Sequence, residues 1–262
     1  MPPHLAIQNA LLPGGSPAEW FDQAARFGFD GVELNHNASF DVRREVDAIA
    51  RASEASGVKV AAICTTGQQD PIVRDQELRN ARVSELIELV DAASALGAAG
   101  VVSVPIRPAA EFDDAQLPEL AIDIYQRIAS NLAGGNAAIF LEPLNRYEAS
   151  FLNRVGQAAM LARMIEHPRI KALADLYHMN IEETSFDAPI EEAEDQLAHV
   201  HIADNTRDEP GAGMMDMRPA FAALKKIGYE GWLSLECRGL SRDAEVALPD
   251  SIAWMRSSWA EA

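Results

Sequence analysis

The chain has 262 residues, 48% of them hydrophobic, which is ample for a full core. It carries 40 Asp and Glu against 22 Lys and Arg, a formal net charge of -18, so its surface repels phosphate backbones and anionic lipid headgroups, and nucleic acid and membrane are excluded as partners. Two cysteines, Cys64 and Cys237, are too few for a secreted disulfide scaffold and are expected to be reduced. No apolar stretch approaches the ~20 residues of a membrane span, and Met1-Pro2-Pro3-His4 is not the start of a signal peptide, so a cytoplasmic protein is expected.

Short apolar runs alternate with longer amphipathic ones about every 30 residues, the cadence of strand and helix in turn. The first strand is expected at 5–7. Ser16-Pro17-Ala18-Glu19 then reads as a helix start, with Ser at the N-cap, Pro at the first position and Glu closing a capping box; this helix ends near Phe27-Gly28. The second strand is 31–34, with its helix at 42–56 closed by Gly57. The third is 58–64, with a long helix at 77–96 closed by Gly97. Strand four is 99–104 and its helix 118–132. Strand five is 138–144 and its helix 155–165. Strand six is 170–175, followed by a short helix near 189–195. Strand seven is 197–203 and its helix 219–227. Strand eight is 232–236, and the last helix lies between 244 and 259.

Eight strand–helix pairs with no remainder predict an α/β protein, a single (β/α)8 TIM barrel in one domain spanning 1–262. The strands are mostly continuous apolar runs, as buried parallel strands are. The open doubly wound sheet is the competitor, but the stretch after strand one, Gln8-Asn9-Ala10-Leu11-Leu12-Pro13-Gly14-Gly15, lacks the Gly-rich dinucleotide fingerprint.

In such a barrel the chemistry sits at the C-terminal ends of the strands. Strand five ends in Leu141-Glu142-Pro143, six in Ala174-Asp175, seven in His199-Val200-His201 and eight in Leu235-Glu236-Cys237. From 142 to 175 is 33 residues, on to 201 is 26 and on to 236 is 35, each about one strand–helix unit. One strand-end carboxylate alone is as readily a helix cap or half of an ion pair. Four such groups in register are another matter, because three gathered carboxylates repel one another unless a cation joins them. Glu142, Asp175, His201 and Glu236 are therefore the expected metal ligands. Three oxygens with one nitrogen suit Mn²⁺, Mg²⁺ or Co²⁺ with open positions better than a closed zinc site. His199 and His201, two apart on one strand, both face the lumen, and His201 lies nearer the rim; His199 reads as a hydrogen-bonded lumen histidine. His4, His36 and His167 carry no spacing signal.

Glu142-Pro143-Leu144-Asn145-Arg146-Tyr147-Glu148, Asp175-Leu176-Tyr177-His178-Met179-Asn180-Ile181-Glu182-Glu183, His201-Ile202-Ala203-Asp204-Asn205-Thr206-Arg207 and Ser234-Leu235-Glu236 resemble the xylose-isomerase-like sugar isomerase/epimerase superfamily, most closely its D-tagatose/D-psicose 3-epimerase branch. The resemblance implies a divalent-metal-dependent isomerase or epimerase acting on a small carbohydrate. It implies the four metal ligands above, Glu142 and Glu236 as the acid/base pair, and Glu148, His178 and Arg207 as groups that hold the substrate. It implies a homo-oligomer, dimer or tetramer. Glu33, at the end of strand two, matches a carboxylate common in the superfamily and is a candidate for substrate contact or for ordering the rim. Cys64 is a candidate for a small apolar surface in the pocket.

In the reaction so implied, a proton next to a ketose or keto-sugar carbonyl is removed by one glutamate and returned by the other, through an enediolate that the metal stabilises. Arg207 has an alternative as an ion-pair partner of Asp204 or Asp208. The chain departs from free-ketohexose epimerases in the first half: Gln8-Asn9-Ala10 stands where an aromatic is usual, and Pro105-Ile106-Arg107-Pro108 where an apolar wall is usual. Both departures put the substrate, not the chemistry, in question. Arg107 could bind a carboxylate or phosphate or form a surface ion pair. Proton removal followed by β-elimination, as in a lyase or hydratase of 3-keto-glycosides, is the runner-up. An endonuclease IV-like phosphodiesterase would need more than the six histidines present and a basic face, and a non-catalytic sugar binder would have no need of both glutamates.

Overall fold

The computed structural model describes residues 3–66, 70–105 and 114–262; Arg107 lies outside them. Eight strands close into a parallel barrel in chain order: β1 (His4–Gln8), β2 (Gly31–His36), β3 (Lys59–Thr65), β4 (Gly100–Ser103), β5 (Ala138–Leu141), β6 (Ile170–Asp175), β7 (Leu197–Ile202) and β8 (Trp232–Leu235), with β8 pairing back onto β1. The expected TIM barrel is therefore the observed one. Around it run α1 (Pro17–Phe27), α2 (Val46–Ser56), α3 (Gln76–Ala95), α4 (Leu117–Ala129), α5 (Val155–Ile165), α6 (Leu176–Glu182), α7 (Asp187–Ala193), α8 (Arg218–Lys226) and α9 (Ala244–Glu261).

Local chemistry starts and stops these elements. Ser16 caps α1, its hydroxyl accepting from Glu19 N and donating to the Glu19 carboxylate, with Pro17 at the first position. Such a cap contributes about 0.5–2 kcal/mol. Gly57 ends α2 at φ 75°, a left-handed backbone that a residue without Cβ adopts at least cost. The single helix expected over 42–56 is in fact a short 3-10 turn, Val42–Arg44, followed by α2. The Asp41 side chain caps Arg43 N, and Val42 N donates to His36 Nδ1, so the chain turns before the helix begins. β5 stops at Leu141 rather than 144, because Pro143 has no N–H for the ladder. The segment after β6 contains α6, which the sequence reading missed, and the following short helix begins at Asp187.

The main core lies between the outer face of the barrel and the helices, with Leu5, Leu34, Leu89, Ile139, Phe221 and Leu233 all fully buried. A second, smaller apolar layer fills the lumen: Ala62, Cys64, Val102, Ala138, Phe140 and Leu173. The polar residues of β1, β2, β7 and β8 complete that inner face, toward the C-terminal rim. Two register shifts prepare this layer. One falls between Val32 and Glu33 against β3, and the other between Ala172 and Leu173 against β7, where Ala198 is the extra residue. A bulge re-aims the side chains beyond it on its own strand; past Ala61 of β3 come Ala62 and Cys64, and past Ala198 of β7 come His199 and His201.

Candidate metal centre and active site

Register brings the rim residues together. Asp175 pairs with His201 across β6 and β7, and Gln8 with Glu33 across β1 and β2; His201 pairs with Ser234, two residues before Glu236. Glu142, Asp175, His201 and Glu236 each offer a ligand atom, and these atoms all lie within 4.8 Å of one another. His201 Nδ1 is 3.1 Å from Glu142 Oε1, 3.0 Å from Glu236 Oε2 and 3.9 Å from Asp175 Oδ2. The other ring nitrogen, Nε2, is 3.0 Å from Glu33 Oε1. A carboxylate on Nε2 fixes the ring and leaves Nδ1 to coordinate, the arrangement usual for metal-bound imidazole. The donor set thus fits a divalent cation: three carboxylates and one oriented imidazole, nearly dehydrated, converging on one point.

Asp175 has a second duty. Its Oδ1 accepts from Tyr177 N and His178 N, so it is the N-cap of α6. That cap swings the chain off the end of β6 and buries His178 beside the cluster. Asn145 N donates to His178 Nδ1 at 3.1 Å, so in the neutral ring the proton sits on Nε2, 3.7 Å from Asp175 Oδ2. Asn145 Nδ2 also donates to Glu148 Oε1 at 2.8 Å; Glu148 itself is exposed on the turn after β5.

Among the described residues the Arg207 guanidinium pairs with Asp175 and Glu236, not with Asp204 or Asp208. Its Nη1 reaches Asp175 Oδ1 and Oδ2 at 2.9 and 2.7 Å, its Nη2 reaches Glu236 Oε2, and its guanidinium lies 4.6 Å over the Tyr177 ring. The loop that carries it is built for this. Arg207 has φ 64°, a left-handed conformation that costs a non-glycine residue of order 1 kcal/mol. Asp204 holds the loop by accepting from Gly211 N and Met215 N, and Arg238 N donates to Arg207 O from the loop after β8. Gly213 passes so close that a Cβ there would lie 2.2 Å from Asp204 Oδ1.

Below the cluster, Glu33 is fully buried. It accepts from Gln8 Nε2 at 2.9 Å, and His199 Nε2 stands 2.7 Å away. His199 stacks on Phe140 at 5.1 Å with 3° between the planes. Cys64 is a free, buried cysteine whose Sγ is 3.9 Å from Glu236 Oε1. His36, the buried histidine at the end of β2, turns outward to Glu85 at 3.2 Å and belongs to a structural network.

Electrostatics separates the two glutamates. Burial, then the charge of Glu236, pushes the Glu142 carboxyl up. Burial also opposes ionisation of Glu236, but His201 and Arg207 outweigh it and hold that carboxyl well below the usual range. For His201, burial disfavours the charged ring, yet Glu33 and Glu236 win and hold its pKa well above that of free imidazole. His199 goes the other way, lowered by burial, so it is a neutral donor to Glu33. Glu33 stays ionised, since these partners overcome its desolvation. A pair of like groups with opposed shifts is the condition for one acid and one base.

The family model described as the xylose isomerase-like TIM barrel matches residues 21–258. The chain belongs to this family. Within its wider neighbourhood, a 3-dehydro-D-guloside 4-epimerase of Escherichia coli (strain K12) is 28% identical over 97% of this chain and 99% of its own length. A ketose 3-epimerase of Arthrobacter globiformis is 31% identical over 89% of this chain and 81% of its own. The crystal structure of a 3-keto-D-glucoside 4-epimerase from E. coli in its apo form superposes with a TM-score of 0.88 at 25% identity, covering 97% of this chain and 99% of that one.

Sequence reasoning passed over Gln8 as a wall residue, and Asn145 and Tyr177 as motif fillers. Asn145 was findable from its place three residues after Glu142. Tyr177 and the cap of α6 were signalled by an Asp standing at the end of an apolar run. Gln8 carried no signal, because its two carboxylate partners lie 25 and 228 residues away.

Proposed function

We propose that this chain is a divalent-metal-dependent epimerase or isomerase of keto sugars, moving the proton next to the carbonyl of a ketose or 3-keto-glycoside. The observation that carries the reading is the pair Glu142 and Glu236, just past β5 and β8, converging with Asp175 and His201. Glu142, Asp175, His201 and Glu236 would hold the cation, Mn²⁺ first by the oxygen-rich donor set. When bound, the cation supplies electrostatic stabilisation of the charge that develops on the substrate's oxygens.

The chain's own residues do the rest. One of the two glutamates takes the proton from carbon, and the other delivers one from the opposite side, inverting the centre. Arg207 and His178 present N–H donors to substrate oxygens, and Glu148, exposed beside Asn145, accepts from a hydroxyl. Glu33 acts from beneath by orienting His201, and Cys64 presents a small surface beside Glu236. The relatives are named as epimerases, which favours return of the proton over β-elimination. The full-length match to an enzyme of a 3-dehydro-glycoside, together with Gln8-Asn9-Ala10 in place of an aromatic, puts 3-keto-glycosides ahead of free ketoses. We further propose one domain, a homo-oligomer and a cytoplasmic setting; sedimentation equilibrium tests the second.

The deciding experiment follows deuterium by NMR in D₂O, with Mn²⁺-loaded protein and a panel of 3-keto-glycosides, ketohexoses and ketopentoses. Metal-dependent deuterium wash-in at a carbon next to the carbonyl, with a new epimer or isomer, is expected. An unsaturated product would replace the epimerase reading by the lyase. No product of any kind from the panel would overturn both.

A further inference from the structure

Gln8 is the last residue of β1, the strand that closes the barrel between β8 and β2. Its side chain is buried and faces the lumen. One NH₂ group serves two carboxylates: Nε2 donates to Glu33 Oε1 at 2.9 Å and to Glu236 Oε1 at 3.1 Å. Glu236 itself stands beyond the last residue of β8, and its N–H bonds Ile202 O at 3.2 Å. Its Oε2 faces His201 Nδ1 and Arg207. Among the described residues, Gln8 is the nitrogen donor on Oε1; the other neighbour is the thiol of Cys64, a weak donor at 3.9 Å.

The anchor at the other end is rigid. Glu33 is buried between His199 and His201, and His199 is stacked on Phe140. A continuous chain of contacts therefore runs from Phe140 through His199, Glu33 and Gln8 to Glu236. A neutral carboxamide suits this place: it grips two anions without adding a charge to the site, whereas Lys or Arg would compete with a cation for the same carboxylates.

We propose that Gln8 is a positioning residue. It holds the Glu236 carboxylate by Oε1, so that Oε2 stays on the cation side and the plane of the group is set for proton transfer. This rests on the acid/base reading of Glu236 above.

The test uses the full-length protein with Gln8→Met, which keeps the shape and loses the donor, and Gln8→Asn, which keeps the amide but is one methylene too short to span both carboxylates. Turnover is measured at saturating Mn²⁺ with whichever of methyl 3-keto-D-glucoside and D-allulose the wild type converts. Binding of Mn²⁺ alone to the metal-stripped protein is measured by calorimetry. Both variants are expected to lower kcat about 10–100-fold with KM within about threefold, and to weaken Mn²⁺ about three- to tenfold, as loss of an outer-shell partner does. Melting curves confirm that each variant folds.

A loss carried by KM would make Gln8 a substrate-binding group and overturn the proposal. So would a near-wild-type kcat in Gln8→Asn, which would mean that polarity alone is needed. If the wild type converts neither probe, the proposed function has failed, and the Mn²⁺ affinities alone decide: equal affinity in wild type and Gln8→Met overturns the positioning role, and weakened affinity supports it.

Discussion

At or just past the C-terminal ends of β5 to β8 stand the four donors Glu142, Asp175, His201 and Glu236, while the inner face of β1 to β4 carries Gln8, Glu33 with Asn35, Cys64 and Val102. The first group converges on one point and gathers three carboxylates, whose charge His201, Arg207 or a bound cation balances. The second group is neutral or small except for Glu33, and Glu33 is sunk below the rim and wholly engaged by protein donors. The halves of the rim thus divide the work: one half presents donors, and the other fixes how they point. The division follows from cost. A buried carboxylate without a partner is expensive, so every one in this lumen is tied to His, Arg or Gln.

The sharpest way to break the comparison is Glu236→Gln. It removes a ligand and half of the acid/base pair at constant shape, and should lower kcat about 10²–10⁴-fold with an unchanged melting curve. Near-normal turnover would end the assignment. Glu33→Gln probes the other half. Its amide can no longer accept from His201, His199 and Gln8 together, so Mn²⁺ affinity should fall about 10–100-fold, read by calorimetry. An unchanged affinity would reduce Glu33 to packing.

A smaller effect sharpens the electrostatics. The raised pKa values of Glu142 and His201 mean that protons compete with the cation. Cation uptake must then release protons, and affinity must rise with pH, by at most about tenfold per unit for each proton released. Calorimetry in two buffers of different ionisation enthalpy counts those protons; a count of zero would contradict the shifts. Smallest for catalysis is Leu89→Ala, on α3 and far from the rim. It should cost about 2–5 kcal/mol of stability and leave kcat within about twofold.

Much of this was legible beforehand because it is local. Ser16-Pro17-Ala18-Glu19 declares a helix start, apolar runs of four to six declare buried strands, and one polar residue at the end of each late strand declares the rim. Where the reading erred, a side chain from elsewhere intervened: His36 accepts Val42 N and delays α2, and Asp175 caps a helix not foreseen. For Arg207 the alternative to substrate contact was an ion pair with Asp204 or Asp208, yet its left-handed backbone turns it onto Asp175 and Glu236.

The sequence by itself determined the barrel, the order of its strands and the four residues that meet at the rim, since hydrophobic period and strand ends are properties of short segments. Only the tertiary structure decided that His199 and His201 share Glu33, that Glu142 and Glu236 are driven apart in acidity, and that Gln8 joins Glu33 to Glu236. Those depend on register, bulges and barrel closure, which bring residues 228 apart in the chain to within 3.1 Å, and no local pattern encodes such a distance.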